Sequence, residues 1–177
     1  TVKRFIFYIG ATDSRKRVED LVAAYNILRG RGETIALVLA GKEFTPQKPI
    51  PNESIRAAIN SSAYQSDIFQ IGYVDDAEKT WLYSHAASFV FPTIYEGFGL
   101  PVTEATLLGC PTVSYDNSSI PEVASNLTTL VPTSDYVGLA RAIVDVLGKK
   151  RVPPANKATC NWDDYVNGFI PAILRGK

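Results

Sequence analysis

With 177 residues the chain is long enough for one ordinary domain around a single hydrophobic core. Hydrophobic residues at 46% and charged residues at 20% are the balance of a soluble globular protein. Eighteen basic residues oppose eighteen acidic ones, so no global field draws the chain to nucleic acid or anionic lipid. Cys110 and Cys160 lie fifty residues apart without metal-ligand spacing, which argues against a disulfide scaffold or zinc site and fits a reducing, cytoplasmic setting. No apolar run approaches the ~20 residues that span a bilayer, and no signal-peptide pattern opens the sequence. Met is absent, position 1 included, so the chain reads as an excised domain.

Residues 4–9 (RFIFYI) predict a buried first strand ending at Gly10. Val18, Leu21, Val22, Tyr25 and Leu28 then follow helical spacing until Gly30 and Gly32 stop it. Residues 34–40 (TIALVLA) read as a second strand ending at Gly41, residues 44–51 as a Pro-rich loop, and a helix opens near Asn52. A third strand falls at 67–71. Asp75 and Glu78 have the form of a capping box opening a helix through Ser84. Residues 87–91 read as a fourth strand, 103–108 as a helix closed by Gly109, 111–115 as a fifth strand and 128–131 as a sixth. Helices over 135–147 and 163–174 complete the chain, the second after the breaker Pro153-Pro154.

Strands alternating with helices predict an α/β fold, a Rossmann-like doubly wound parallel sheet of about six strands with helices on both faces. Such sheets bind ligands beyond the carboxyl ends of their strands, here the loops after Ile9, Ala40, Ile71, Phe91 and Tyr115.

The loop after the fourth strand is the most informative. Glu96 and Glu104 flank the glycine-punctuated turn Gly97-Phe98-Gly99, followed by Leu100 and by Pro101 at a helix start. Free N–H groups over 99–102 at such a helix N-terminus suit a phosphate, because unsatisfied donors and the helix dipole both favour an anion. Glu104, in the first turn, would point back to the same crevice, where a carboxylate can accept two ribose hydroxyls. Two glutamates in isolation are ordinarily surface charges; glycines, proline and strand end falling together reverse that preference.

This block resembles the donor-site motif of retaining glycosyltransferase family 4, which adopts the two-domain GT-B fold. The family pattern EGFGLPxxE stands here as EGFGLPVTE over 96–104. The resemblance extends to residues 5–16 (FIFYIGATDSRK), 37–42 (LVLAGK), 69–74 (FQIGYV), 82–92 (LYSHAASFVFP), 118–123 (SSIPEV) and 130–132 (LVP). It implies that residues 1–177 are a single nucleotide-sugar-binding domain, the C-terminal half of a GT-B enzyme, with the N-terminal acceptor domain absent.

By the same resemblance Glu96 binds hydroxyls of the transferred sugar near the reacting carbon, and Lys16 neutralises the departing diphosphate. Gly97, Phe98, Gly99 and Leu100 supply backbone contacts, Phe98 with its ring left to packing, and Glu104 holds the ribose. Many members carry Arg directly after the first-strand glycine, where Ala11 stands here. A branch with Gly-Thr at this point keeps an Arg-Lys pair, and this sequence, with Arg15 beside Lys16, is most similar to that mannosyltransferase-like branch. A basic triplet is ordinarily a solvated helix start; placement after the first strand selects Lys16, while Arg17 is left to solvent.

The expected activity is retaining transfer of a sugar from a nucleotide sugar to a hydroxyl acceptor in glycan or polysaccharide synthesis. GDP-mannose is preferred on branch likeness, ahead of UDP- and dTDP-sugars. No cofactor or metal is expected: Asp75-Asp76 and Asp163-Asp164 read as helix starts and lack the D-x-D spacing of metal-dependent transferases. A glycan or lipid-linked acceptor, and any membrane contact, falls to the absent domain, and the isolated chain is expected to transfer nothing. Tyr73 and Val74 lie in the segment meeting the base, although packing suits Tyr73 equally. His85 and Cys110 read as structural. Two rivals are a nucleotide-sugar epimerase of the same architecture and a non-catalytic binding module, which Ala11 makes conceivable.

Overall fold

The computed structural model describes residues 4–148, which form one six-stranded parallel sheet in the order β3-β2-β1-β4-β5-β6. The strands are β1 (Phe5–Ile9), β2 (Ala36–Ala40), β3 (Ile68–Gly72), β4 (Ser88–Phe91), β5 (Thr112–Asp116) and β6 (Thr128–Pro132). The helices are α1 (Val18–Gly30), α2 (Glu53–Asn60), α3 (Asp76–His85), α4 (Leu100–Leu107), α5 (Ile120–Val123) and α6 (Tyr136–Leu147). The Rossmann-like doubly wound reading is therefore correct, strand count included. The expected helix over 163–174, with Asp163-Asp164 and Cys160, lies outside the described residues. No described helix is long and apolar enough to cross a membrane.

Near-continuous apolar runs make the central strands, as burial on both faces requires. Phe5, Ile6, Phe7 and Tyr8 of β1 and Ser88, Phe89, Val90 and Phe91 of β4 are all buried. α1 packs against α2 and α6 on one face of the sheet; α4 packs against α3 and α5 on the other. The aromatic centre of that second face is an edge-on cluster, Phe7 against Tyr83 at 5.3 Å and Tyr83 against Phe89 at 5.1 Å.

The chain builds outward from β1 through β2 to β3, then returns across the sheet to β4 and builds outward the other way. Ile6 and Phe7 of β1 pair with Ser88 and Phe89 of β4, which makes this pair the topological switch point. The loops leaving β1 and β4 meet above the strand ends, the Ile94 N–H donating to the Arg15 carbonyl at 2.8 Å, at the point where doubly wound sheets offer a ligand crevice.

Two glycines let adjoining chains close in at the crevice floor. A Cβ on Gly41, where φ is 140°, would lie 2.1 Å from the Gly10 carbonyl oxygen; one on Gly10 would lie 2.6 Å from the Tyr8 hydroxyl. That hydroxyl donates to the Ala11 carbonyl at 2.9 Å. Burial, reinforced by nearby carboxylates, raises its pKa far above the ordinary tyrosine range, so Tyr8 stays a neutral donor.

α4 begins at Leu100, three residues before the predicted 103, because Gly99 (φ 91°) is its left-handed N-cap and Pro101 suits the first turn. The capping box at Asp75 and Glu78 is present with both reciprocal hydrogen bonds. The four-residue α5 was not foreseen, since so short a helix has no periodic pattern to read.

Candidate donor-binding site

Lys16 ends a single 3-10 turn, Ser14–Lys16, in the loop after β1. Its side chain leans over the Phe91 ring at the end of β4, with Nζ 5.0 Å from the centroid, and pairs with Glu96 Oε1. Both side chains are largely withdrawn from water, 11% exposed for Lys16 and 14% for Glu96. The two residues assigned to catalysis thus meet at the β1/β4 switch point from loops eighty positions apart.

Glu96 is braced on three sides. The buried Thr93 hydroxyl lies 3.1 Å from Glu96 Oε1 and also contacts the Tyr95 and Arg15 carbonyls. The Glu96 N–H donates to Ser118 Oγ at 3.0 Å, and Ser119 Oγ donates to the Glu96 carbonyl at 2.9 Å. Asn117 Nδ2 donates to the Thr93 carbonyl at 2.8 Å. The loop after β5 therefore buttresses the loop after β4. The sequence points to residues 118–123 and to the loop after Tyr115, but no local pattern in it singles out Thr93, Asn117, Ser118 and Ser119 as supports.

After Glu96 the backbone presents donors. The N–H groups of Gly97, Phe98, Gly99 and Leu100 make no hydrogen bond among the described residues. Those of Val102 and Thr103 close the first turn of α4 on the Gly99 carbonyl, which narrows the expected row of free donors over 99–102 to one starting earlier. Phe98 is exposed, at 44%, so its ring is not the packing residue expected. Gly99 is favoured by the fold, since its φ of 91° strains any side chain and a Cβ would also meet Ile120 Cδ1 at 2.8 Å; Gly97 is not, for nothing lies within 4 Å.

Glu104 turns to α3 rather than standing free in the crevice. Lys79 Nζ donates to its Oε1 at 3.0 Å and the Tyr83 hydroxyl to its Oε2 at 3.2 Å. Burial, with the Glu104 carboxylate second, raises the Tyr83 pKa beyond any working pH. Neither Lys79 nor Tyr83 stood among the predicted site residues, because each is joined to Glu104 only through packing of α3 on α4.

The loop after β1 is held from the β2 side. Glu43 Oε2 accepts from the Thr12 hydroxyl at 2.7 Å and the Thr12 N–H at 2.8 Å, and Asn52 Nδ2 donates to the Thr12 carbonyl at 2.7 Å. Those Thr12 donors hold the Glu43 carboxyl below its ordinary pKa.

Arg15 points to Asp13 Oδ1 at 2.7 Å and is half-exposed, so it does not share the Lys16–Glu96 pair. Arg17 is more than a solvated charge: it forks onto Asp20 at 2.9 and 3.1 Å, and Asp20 also accepts from the buried Tyr115 hydroxyl at 2.8 Å. Tyr73 is 69% exposed, which removes the packing reading, and with Val74 it borders an apolar groove beside Trp81 and Leu82. His85 stacks on Trp81 at 4.2 Å, and Cys110 is buried with its Sγ 3.7 Å from the Pro111 carbonyl oxygen, both structural as expected.

A six-stranded parallel sheet with a Lys–Glu pair and, among the described residues, a row of unbonded N–H donors at its switch point defines a Rossmann-like α/β domain of the kind that forms half of a GT-B fold. The chain belongs to the family Glycosyl transferases group 1, which it matches over residues 1–159. It is 29% identical over 144 residues to the O-antigen chain mannosyltransferase B of Escherichia coli, covering 81% of this chain and 36% of that protein. A serotype-specific mannosyltransferase, WbdA, also of Escherichia coli, is 32% identical over 120 residues, 67% of this chain and 14% of that protein. Among solved structures, the sucrose-phosphate synthase of Thermosynechococcus elongatus superposes with a TM-score of 0.72 at 28% identity, covering 83% of this chain and 37% of its own. The chain thus spans little more than a third of the longest-matched relatives.

Proposed function

We propose that this chain is the donor-binding half of a retaining glycosyltransferase that moves a hexose from a nucleoside diphosphate sugar to a hydroxyl acceptor. The observation that carries the reading is the Lys16–Glu96 pair at the switch point, adjoining the unpartnered N–H groups of Gly97, Phe98, Gly99 and Leu100. With the donor bound, the diphosphate takes over Lys16, and Glu96 turns its freed oxygen to the sugar hydroxyls. As the bond from the anomeric carbon to the diphosphate breaks, negative charge grows on the departing oxygens, where Lys16 and the N–H row are already aimed.

Arg15, released from Asp13, is the second cation at the rim and offsets the missing Arg at Ala11. Glu104 accepts the ribose hydroxyls, and Tyr73 and Val74 border the base. Two mannosyltransferases among the relatives support mannose as the sugar, and GDP as its carrier rests on the branch resemblance. The acceptor, a glycan or lipid-linked glycan, is held by a further domain, so the 177-residue chain binds donor weakly and transfers nothing.

Calorimetric titration of the chain with GDP, UDP and dTDP tests this. GDP binding strongest, with Glu104→Ala weakening it about tenfold by loss of charged hydrogen bonds, is the expected result. Failure of all three to bind sinks the donor reading; sugar transfer by the purified chain sinks the half-enzyme reading.

A further inference from the structure

Two side chains of α3 converge on the Glu104 carboxylate from one side. Lys79 and Tyr83 are four residues apart and so share a helix face. Each occupies one oxygen, Oε1 at 3.0 Å and Oε2 at 3.2 Å. The two donors differ in how they are held. The Tyr83 ring is fully buried and wedged edge-on against Phe7 and Phe89, so the aromatic core dictates where its hydroxyl sits. Lys79 is anchored at its other side by Asp76 Oδ1 at 3.3 Å, a weak competitor because that carboxylate is 99% exposed.

As a mere staple between α3 and α4 this arrangement has little to contribute. The Glu104 side chain is 37% exposed and that of Lys79 25%, and ion pairs so open to water add little to stability. For recognition the same geometry has a clear consequence. A carboxylate offers about four lone-pair positions, and α3 takes one on each oxygen. What remains is one acceptor position per oxygen, in a carboxylate whose plane is already set. A glutamate free to rotate would lose side-chain entropy on binding; one held at both oxygens has lost it beforehand.

We propose that Lys79 and Tyr83 are positioning residues that orient Glu104 so that its two remaining acceptor positions meet the adjacent 2′- and 3′-hydroxyls of the donor's ribose. The proposal rests on the reading of Glu104 as the ribose ligand. It assigns α3 a part in telling ribose from deoxyribose carriers.

Ribose discrimination is read as the ratio of affinities of the purified chain for GDP and 2′,3′-dideoxy-GDP, with UDP and its dideoxy analogue as a second pair. In the unaltered chain the ratio should be about tenfold, the size expected for hydrogen bonds to a charged acceptor. Lys79→Met should lower it at least threefold while leaving dideoxynucleotide affinity within twofold, and Lys79→Arg should restore most of it. Tyr83→Phe should also lower the ratio. An unchanged ratio in Lys79→Met, or an equal loss for both nucleotides, overturns the positioning role. If Glu104→Ala collapses the ratio and Lys79→Met does not, only this proposal fails. If the unaltered chain binds GDP without discriminating, the ribose assignment of Glu104 fails with it, and absence of binding overturns the donor reading itself.

Discussion

Lys16 and Glu96 hold each other, where each would otherwise be a charge largely withdrawn from water. Breaking such a pair from one side leaves the partner uncompensated, a cost of about 3 kcal/mol. Lys16→Met alone should therefore destabilise the chain by about that amount, and adding Glu96→Gln should recover part of it. Urea midpoints of the two single variants and the double variant measure the coupling; additive effects would show that the ion pair is not the interaction at stake.

Glu43 acts on the same loop through Thr12. Its carboxyl pKa is lower in the folded chain than in the unfolded one, because Thr12 donates to the ionised form with both hydroxyl and N–H. The unfolded chain consequently takes up the proton first. The stabilisation is complete above the unfolded glutamate pKa of about 4.3 and is lost as pH falls through the lower folded value. Melting temperatures of the unaltered chain and Glu43→Gln should differ near neutrality and converge with acidification. A gap independent of pH would remove Glu43 from the acid limb.

At the scale of elements, glycines separate what the fold requires from what a ligand requires. Gly41 is closed in by the Gly10 carbonyl and sits at positive φ, so Gly41→Ala should cost more than ~3 kcal/mol, by clash and by backbone strain. Gly97 has open space where a Cβ would go. Gly97→Ala should leave the denaturant midpoint within ~0.5 kcal/mol, as surface substitutions usually do, and weaken nucleotide-sugar binding if the donor passes over that backbone. Equal thermal stability and equal affinity in Gly97→Ala would remove that close approach. Element boundaries teach a related lesson. The run read as a strand over 34–40 begins earlier than β2, because a side chain can be buried before its backbone finds a strand to pair with. Ile35 is buried outside β2 for this reason.

Across the whole molecule, the Lys16–Glu96 pair lies at the carboxyl edge of the sheet, and the relatives matched over most of this chain are more than twice its length. The alternation of strand and helix, the capping box at Asp75, the punctuation at Gly10, Gly41 and Gly99, and the block from Glu96 to Glu104 were legible in the sequence. Each is a local property: periodicity, turn chemistry and cap residues act within a few positions along the chain. That much determined an α/β doubly wound domain, and the resemblance carried by the block determined the family. Only the tertiary structure decided that Lys16 lies against Glu96, that Glu43 pins Thr12, that Ser118 and Ser119 hold the Glu96 backbone, and that Lys79 and Tyr83 hold Glu104. These partners lie between 21 and 80 positions apart. No spacing rule encodes such pairs, because they form where the strand order places two loops or two helices side by side.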